Sequence, residues 1–306
     1  MTIITSYKNP DLDGIACTIA YTELLNKKNI PAVAIYYGNL GLEVDFVKNY
    51  TNYFPIDKHT GGYDNNVEFV LVDTADPDAI ETSIPLEKVI EIFDHRQLVF
   101  VEKFINAKKH IELVGSCATL ITEEFKKNNL IPSNNTAIYL FSAIVSNTIN
   151  FKNSVTTPRD INAANWLKEI TNVDENYIHE MFNAKSNITN DNLYDILVND
   201  FAVKNIGGKK IGIAQIEMVD ADRMSTNLNK ALIKTLNQFK NKNKLDYIFF
   251  TCIDIIKGFN IFYTIDAESQ KLFSKILDIP DLVPGYKTDY IIMRKQFWPK
   301  VERMLI

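Results

Sequence analysis

The amino-acid sequence predicts an α/β protein with two successive domains. Short apolar runs rich in β-branched and aromatic residues alternate along the chain with segments in which apolar residues recur at helical spacing. A polar, asparagine-rich stretch over residues 184–192 interrupts this pattern, which then resumes. With 306 residues, the chain is long enough for two domains of ordinary size.

The first half of the sequence predicts four strands with helices between and after them. The strands are short and apolar, and the last three are rich in β-branched and aromatic residues: TIITSY, AVAIYYG, EFVLVDTA and VIEIFDH. The spacing of apolar residues predicts helices over 15–26, 44–53, 118–127, 133–151, 158–170 and 175–182. For the helix over 133–151, Ser133 or Thr136 is available as the N-cap.

The second half predicts a smaller α/β domain. Residues 184–192 (AKSNITNDN) have few apolar anchors, which is typical of a linker. Beyond them, three apolar strands are separated by a helix predicted around 224–239: KKIGIAQIEMV, DYIFFTCIDII and FNIFYTID. We therefore predict a first domain over 1–185 and a second over 191–306, both of usual domain size.

Charge and composition exclude several classes of function. The net charge of −5 gives no basic surface of the kind that binds nucleic acid, so no nucleic-acid partner is expected. Three widely spaced cysteines favour a reducing compartment without a disulfide framework. The start of the chain does not have the pattern of a signal peptide, and no apolar run is long enough to span a membrane. We expect a cytoplasmic protein.

Acidic side chains follow three of the four predicted strands at the point where each strand ends. Asp11 and Asp13 come after the first strand, Asp73 ends the third, and Asp94 with His95 ends the fourth. In a parallel sheet these ends line one edge, where ligands bind. Oxygen ligands with one imidazole suit Mg²⁺ or Mn²⁺. The alternative is that each aspartate only caps the helix that follows it, as aspartate often does.

Four motifs, in order, carry a resemblance to a known family: NPDLD, VDTAD, FDHRQ and VGSCATLI. They resemble the motifs of the DHH phosphoesterase superfamily, in the branch that carries a DHHA2 domain at its C-terminus. That branch contains the manganese-dependent (family II) inorganic pyrophosphatases, the short-chain exopolyphosphatases and the Prune-type proteins. Three later segments are similar to it as well: SAIVSNTINFKNSVTTPRD, IGIAQIEMVD and PGYKTDYIIMRKQFWP.

The resemblance implies a fold and a metal site. The fold would be an N-terminal DHH domain with a mainly parallel sheet and flanking helices, a smaller C-terminal DHHA2 domain, and an active site in the cleft between them. Two divalent cations, Mn²⁺ or Mg²⁺ with Co²⁺ possible, would activate a water molecule. Asp11 and Asp13 would each hold one cation, and Asp73 would bridge both. His95 would be a further ligand, with its imidazole oriented by Asp94.

The resemblance also implies residues that bind substrate. Arg294 and Lys295 would bind phosphate oxygens, which a planar guanidinium and an ammonium both do well. Arg96 stands where the pyrophosphatases have a second histidine, and is expected to contribute to catalysis and to substrate binding. A lysine of the family corresponds to Ala202, and Lys204 could point the same way if that segment is extended.

The sequence departs from the pyrophosphatases at two metal positions. Tyr7 replaces a histidine ligand, and Asn147 replaces an aspartate, so that Asn147 would offer only a neutral amide. A phenol is neutral near pH 7 and is a poor ligand for these cations. We therefore expect weaker metal binding than in a pyrophosphatase, and slow turnover of pyrophosphate.

Three functions remain open from the sequence. The first is a metal-dependent hydrolase of phosphoanhydride bonds, acting on pyrophosphate or short-chain polyphosphate. The second is a DHH-type phosphodiesterase or phosphomonoesterase acting on a nucleotide. The third is a degenerate protein that binds a phosphate-containing ligand with little turnover. In each case the partner is a small phosphate compound, and the resemblance suggests a homodimer through the first domain.

Overall fold

The structure is a computed structural model that describes residues 1–60, 63, 66–96, 101–174 and 176–305. The chain divides into two compact units, residues 1–181 and 182–306. The predicted domain limits, 1–185 and 191–306, lie a few residues further along the chain.

The first unit is built on a six-stranded parallel sheet. Its strands follow one another in the spatial order β3-β2-β1-β4-β5-β6, and every neighbouring pair is parallel. The strands are β1 (Thr2–Thr5), β2 (Ala32–Tyr36), β3 (Asp57–Lys58), β4 (Glu68–Val72), β5 (Val89–Asp94) and β6 (Lys108–Ile111). Because β1, β4 and β5 are neighbours, the segments that follow them emerge at the same edge, as the sequence predicts.

Helices accompany this sheet, and side chains cap the N-termini of three of them. The helices are α1 (Leu12–Lys27), α2 (Leu42–Thr51), α3 (Cys117–Lys127), α4 (Asn134–Asn147), α5 (Pro158–Ile170) and α6 (Tyr177–Lys185). The side chains of Asp11, Ser116 and Ser133 accept hydrogen bonds from the first turns of α1, α3 and α4. Helix α1 packs against both α3 and α4, so the starts of these helices are fixed relative to the sheet.

Helix α4 is shorter than predicted. It ends at Asn147 and not at residue 151, because three consecutive residues beyond it have left-handed backbone angles. The φ values of Ile149, Asn150 and Phe151 are 50°, 48° and 65°. L-residues adopt this conformation at a cost of about 1–2 kcal/mol each, so the surrounding structure must hold the turn in place.

The second unit contains a mixed five-stranded sheet in the order β11-β10-β9-β8-β7, with β8 and β9 parallel and the other pairs antiparallel. Buried apolar clusters cover both faces of its central strands. Its elements are α7 (Leu193–Asn199), β7 (Phe201–Ile206), β8 (Lys209–Met218), α8 (Asn229–Asn243), β9 (Tyr247–Asp254), β10 (Phe259–Tyr263), α9 (Ala267–Leu277), β11 (Tyr286–Lys287) and α10 (Arg294–Leu305). The predicted α/β class is confirmed for both units.

Two predicted helices have other limits in the structure. The helix predicted around 224–239 begins only at Asn229, since Ala221–Ser225 forms a 3₁₀ helix. The proposed linker is held in place, because the Arg223 guanidinium donates to the carbonyl groups of Ser186 and Ile188. The helix predicted over 175–182 runs over Tyr177–Lys185, and Glu175 lies outside the described residues.

Candidate metal centre

Three buried side chains at the edge of the parallel sheet form a group that could bind a metal ion. One ligand atom from each of Asp13, Asp73 and His95 lies within 4.8 Å of the others. The His95 Nε2 atom is 3.4 Å from Asp73 Oδ1 and 3.9 Å from Asp13 Oδ2. The sequence predicts all three residues, and the parallel order of β1, β4 and β5 explains why they meet.

The backbone turns sharply at Asp73, directly after β4. Its φ is 57°, in the left-handed region, and its N–H donates to the carbonyl oxygen of Phe93 in β5 over 2.8 Å. A single left-handed residue at a strand end changes the direction of the chain at once. The turn therefore leaves the Asp73 carboxylate beside His95.

The imidazole of His95 is held in one tautomer. Its Nδ1 atom lies 3.0 Å from the carbonyl oxygen of Val114, which can only accept, so Nδ1 carries the proton. The Nε2 atom that faces Asp13 and Asp73 is then the ring nitrogen placed to bind a metal ion. The contact with the Val114 carbonyl was not predicted. Every residue has a backbone carbonyl oxygen, so the sequence does not show which one contacts the ring.

Asp94 does not orient that imidazole, contrary to the expectation from the sequence. Its Oδ1 atom accepts hydrogen bonds from the backbone N–H of His95 at 2.7 Å and of Arg96 at 3.1 Å. The same oxygen accepts from Arg96 Nε at 3.0 Å. Asp94 therefore fixes the turn after β5 and the Arg96 side chain, while Val114 fixes the ring.

The N-terminus of helix α3 donates hydrogen bonds to the Asp13 carboxylate. The backbone N–H groups of Cys117 and Ala118 donate to Asp13 over 2.8 and 2.9 Å, and Ser116 Oγ donates over 2.9 Å. Donors at a helix N-terminus favour a negative charge. Burial and the nearby charge of Asp73 act the other way and raise the pKa of Asp13 to about 7. The VGSCATLI motif thus supplies three hydrogen bonds to the Asp13 carboxylate.

Asn147 also contacts Asp13, but as a donor. Its Nδ2 atom lies 2.5 Å from Asp13 Oδ2. An amide nitrogen has no lone pair for a cation, so in this arrangement Asn147 orients Asp13 and does not itself act as the metal ligand that the sequence predicts. The residue reaches the site because α4 ends there.

Asp11 caps helix α1, as the alternative interpretation of the sequence expects. Its Oδ1 atom accepts from the N–H groups of Asp13 at 2.9 Å and Gly14 at 3.1 Å. The Tyr7 hydroxyl in turn accepts from the N–H of Asp11 at 3.1 Å. Among the residues that the structure describes, the close ligand group contains Asp13, Asp73 and His95 but not Asp11.

Arg96 lies against the same group. Its Nη2 atom is 3.5 Å from Asp73 Oδ1 and also donates to the Asp73 carbonyl oxygen. The guanidinium stands over the ring of Tyr7, 5.9 Å from its centre. The residue is about two-fifths exposed, so one side of the guanidinium can still meet a ligand.

The basic residues predicted to bind phosphate occupy two elements of the second unit. Arg294, the first residue of α10, donates to the Asp200 carbonyl oxygen over 2.6 Å and pairs with the Asp200 carboxylate. Lys295 follows it on the exposed side of α10. Lys204 lies in the extended strand β7 and is 3.6 Å from Glu302. Binding a phosphate oxygen at Arg294 would require exchange of its pairing with Asp200.

The donor set at Asp13, Asp73 and His95 fits a divalent cation. Two carboxylates and one neutral imidazole are ligands that Mn²⁺ accepts readily and Mg²⁺ less so, because imidazole is the softer donor. All three are buried, and Val114 and the start of α3 fix two of them from behind. Hydrogen bonds within the protein therefore orient Asp13 and His95.

Comparisons with known proteins match both halves of the chain. The DHHA2 domain family matches residues 179–304. The probable manganese-dependent inorganic pyrophosphatase of Clostridium acetobutylicum is 29% identical over 277 residues, 90% of this chain and 88% of the relative. That of Oceanobacillus iheyensis is 28% identical over 258 residues, 84% of this chain and 83% of the relative.

Two solved structures share the fold. A candidate family II inorganic pyrophosphatase of Methanococcus jannaschii matches with a TM-score of 0.80 and 26% identity, over 100% of this chain and 99% of its own. An exopolyphosphatase-related protein of Bacteroides fragilis matches with a TM-score of 0.50 and 13% identity, over 99% and 91%, which shows the fold alone. Among the described residues, no helix is both long and apolar enough to cross a bilayer.

Proposed function

We propose that this chain, which carries a DHHA2 domain and resembles the manganese-dependent pyrophosphatases, is a metal-dependent hydrolase of phosphoanhydride bonds. One observation carries the proposal: the buried group of Asp13, Asp73 and His95, with the Nε2 atom of His95 facing both carboxylates. The substrate would be inorganic pyrophosphate, in keeping with the names of the relatives, or short-chain polyphosphate, which contains the same phosphoanhydride bond.

Each residue of the centre has a role in this proposal. A bound divalent cation lowers the pKa of a water molecule and neutralises phosphate oxygens. Asp13, Asp73 and His95 hold the cation, and Asn147 keeps the Asp13 carboxylate oriented. Arg96, with one side exposed, binds a phosphate oxygen of the substrate.

Arg294 and Lys295, in the second unit, would bind phosphate oxygens of the substrate. The guanidinium of Arg294 now contacts Asp200 through both amino groups, a geometry that a phosphate with two free oxygens can reproduce. Lys295 adds a charge on the same first turn of α10. Lys204 shares the strand β7 with Ala202 and is the third candidate.

Release of orthophosphate tests the proposal. Purified protein is assayed with pyrophosphate, tripolyphosphate and a nucleotide phosphodiester, each with Mg²⁺, Mn²⁺ and Co²⁺. We expect metal-dependent release from pyrophosphate or tripolyphosphate and none from the diester. Cleavage of the diester alone would identify a phosphodiesterase instead. An Asp73→Ala variant controls for contaminating phosphatases, which would keep their activity in that preparation.

A second function is favoured by Tyr7 and Asn147. The phenol of Tyr7 is kept neutral, because burial and the charges of Asp11 and Asp73 raise its pKa well above the ordinary value. Asn147 donates to Asp13. With neither acting as a metal ligand, the chain could bind a phosphate compound with little turnover. Tight binding of pyrophosphate in calorimetry, without orthophosphate release, would support this function over hydrolysis.

We also propose a homodimer through the first unit and a location in the cytoplasm. The outer strand β6 is at the edge of the sheet, and Ile105 and Leu113 beside it expose 76% and 67% of their surface. A paired edge strand would cover these side chains. Light scattering after gel filtration, with Leu113→Lys as the test variant, measures the association. A monomer at all concentrations would contradict it.

A further inference from the structure

Beside the metal group lies a second acidic position, formed by Asp11 and Asp73 with Tyr7. The Tyr7 hydroxyl accepts from the backbone N–H of Asp11 at 3.1 Å, and the Arg96 guanidinium stands over the Tyr7 ring and lies 3.5 Å from Asp73 Oδ1. The resemblance implies a second cation at such a position, next to the bridging carboxylate. The residues present do not fit one, because a neutral phenol and a helix-capping carboxylate are poor substitutes for an imidazole and a free carboxylate.

A positive group already occupies this position. The guanidinium of Arg96 lies 3.5 Å from Asp73 Oδ1 and covers the ring of Tyr7. Its Nε atom is tied to Asp94 at 3.0 Å, and its Nη2 atom donates to the Asp73 backbone. Two anchors of this kind fix a guanidinium whose positive charge does not depend on pH in the physiological range.

We propose that Arg96 takes the place of one of the two cations, so that each chain binds a single divalent cation at Asp13, Asp73 and His95. This inference rests on the proposed function for the assignment of those three residues as a metal site. A second cation beside Asp11 would face the fixed charge of Arg96 across the same carboxylate of Asp73. Two positive charges against one carboxylate repel each other strongly in a partly buried site.

The exchange of a cation for a guanidinium changes what the site can do. A guanidinium donates hydrogen bonds to phosphate oxygens but has no coordination position for water. Arg96 would thus neutralise the substrate without activating the nucleophile. The attacking water would depend on the ligands Asp13, Asp73 and His95 alone.

The number of cations per chain tests the inference without an activity assay. Metal-free protein is dialysed against Mn²⁺, and bound manganese is measured by elemental analysis. We expect one Mn²⁺ per chain for the unaltered protein and for Arg96→Lys, which keeps the charge. The double variant Tyr7→His with Arg96→His supplies two imidazoles in place of the phenol and the charge, and should bind two.

A matched control and a spectrum complete the experiment. Tyr290→His with Arg303→His adds the same residue types at two exposed positions and should stay at one Mn²⁺ per chain. Two cations about 3.5–4 Å apart couple magnetically, so only the Tyr7/Arg96 variant should lose the electron paramagnetic resonance pattern of isolated Mn²⁺.

The outcomes separate this inference from the proposed function. Two tightly bound Mn²⁺ in the unaltered protein would overturn the inference and leave the hydrolase intact. No bound Mn²⁺ would overturn both. One Mn²⁺ in the unaltered protein that disappears in His95→Gln, together with two in the Tyr7/Arg96 variant, would support it. If that variant fails to fold, the stoichiometry of the unaltered protein still decides.

Discussion

Replacing Asn147 by aspartate should destabilise the metal-free protein and strengthen its response to manganese. The substitution removes the donor that lies 2.5 Å from Asp13 Oδ2 and puts a second carboxylate in its place. Loss of a hydrogen bond to a charged group costs about 1.5–3 kcal/mol. Two like charges about 4 Å apart repel by about 4 kcal/mol at an effective dielectric constant of about 20.

Protonation of one of the two carboxyl groups reduces the total loss of stability. Because burial and Asp73 already raise the pKa of Asp13 to about 7, one carboxyl of the new pair can take up a proton and relieve part of the repulsion. We therefore expect the free energy of unfolding at pH 8 to fall by about 4 kcal/mol, which lowers the melting temperature by roughly 8–16 °C. A bound cation would remove the repulsion between the two carboxylates and would gain the new aspartate as a ligand.

The assay is thermal unfolding with a chelator and with saturating Mn²⁺. The rise in melting temperature on adding Mn²⁺ should be larger for Asn147→Asp than for the unaltered protein. Asn134→Asp is the matched control, since it makes the same change at the exposed first residue of the same helix. An aspartate at residue 134, in the first turn of the helix, should stabilise the protein by less than about 1 kcal/mol. Equal melting temperatures for Asn147→Asp and the unaltered metal-free protein would refute the reasoning.

Three further results are expected. Asp73→Ala should abolish hydrolysis, because it removes a proposed metal ligand and the partner of Arg96. A variant that keeps more than about a tenth of the rate, a rise of less than roughly 1.4 kcal/mol in the activation barrier, would contradict the assignment of Asp73 to the metal site. Arg294→Ala and Lys295→Ala should raise KM while manganese affinity stays unchanged; a parallel loss of that affinity would place them elsewhere. Since burial and Asp73 raise the pKa of Asp13 to about 7, the metal-free protein should lose stability as pH rises from about 4 to 7, and chemical denaturation measures this. No fall in that range would contradict the charge assignment.

Residue type and strand order were enough to predict that three side chains able to bind a metal ion lie together. Asp13, Asp73 and His95 each follow an apolar strand, and parallel strands bring their ends together. The supporting groups could not be predicted in the same way. The Val114 carbonyl and the N–H groups at the start of α3 are backbone atoms, and every residue type offers them.

Other differences arise from tertiary contacts. Strand β6 has the polar sequence KKHI, without the apolar alternation that predicts a strand, and it forms because β5 offers an edge to pair with. The role of Asp94 depended on which side its carboxylate faces, and only the coordinates show that it faces Arg96. Spacing alone also could not place the end of α4 at Asn147, since apolar residues continue beyond it.

The long separation in sequence between Asp13 and its hydrogen-bond donors has a consequence for how the protein folds. Ser116, Cys117 and Ala118 lie 103 to 105 residues from Asp13, and Asn147 lies 134 residues from it. Contacts of such range require closure of long loops, which makes early formation slow. The centre therefore assembles only when β1, β4, β5 and the start of α3 have come together. A cation that binds there should leave the folding rate unchanged and slow unfolding, so its main effect in the cell would be a longer lifetime of the native state.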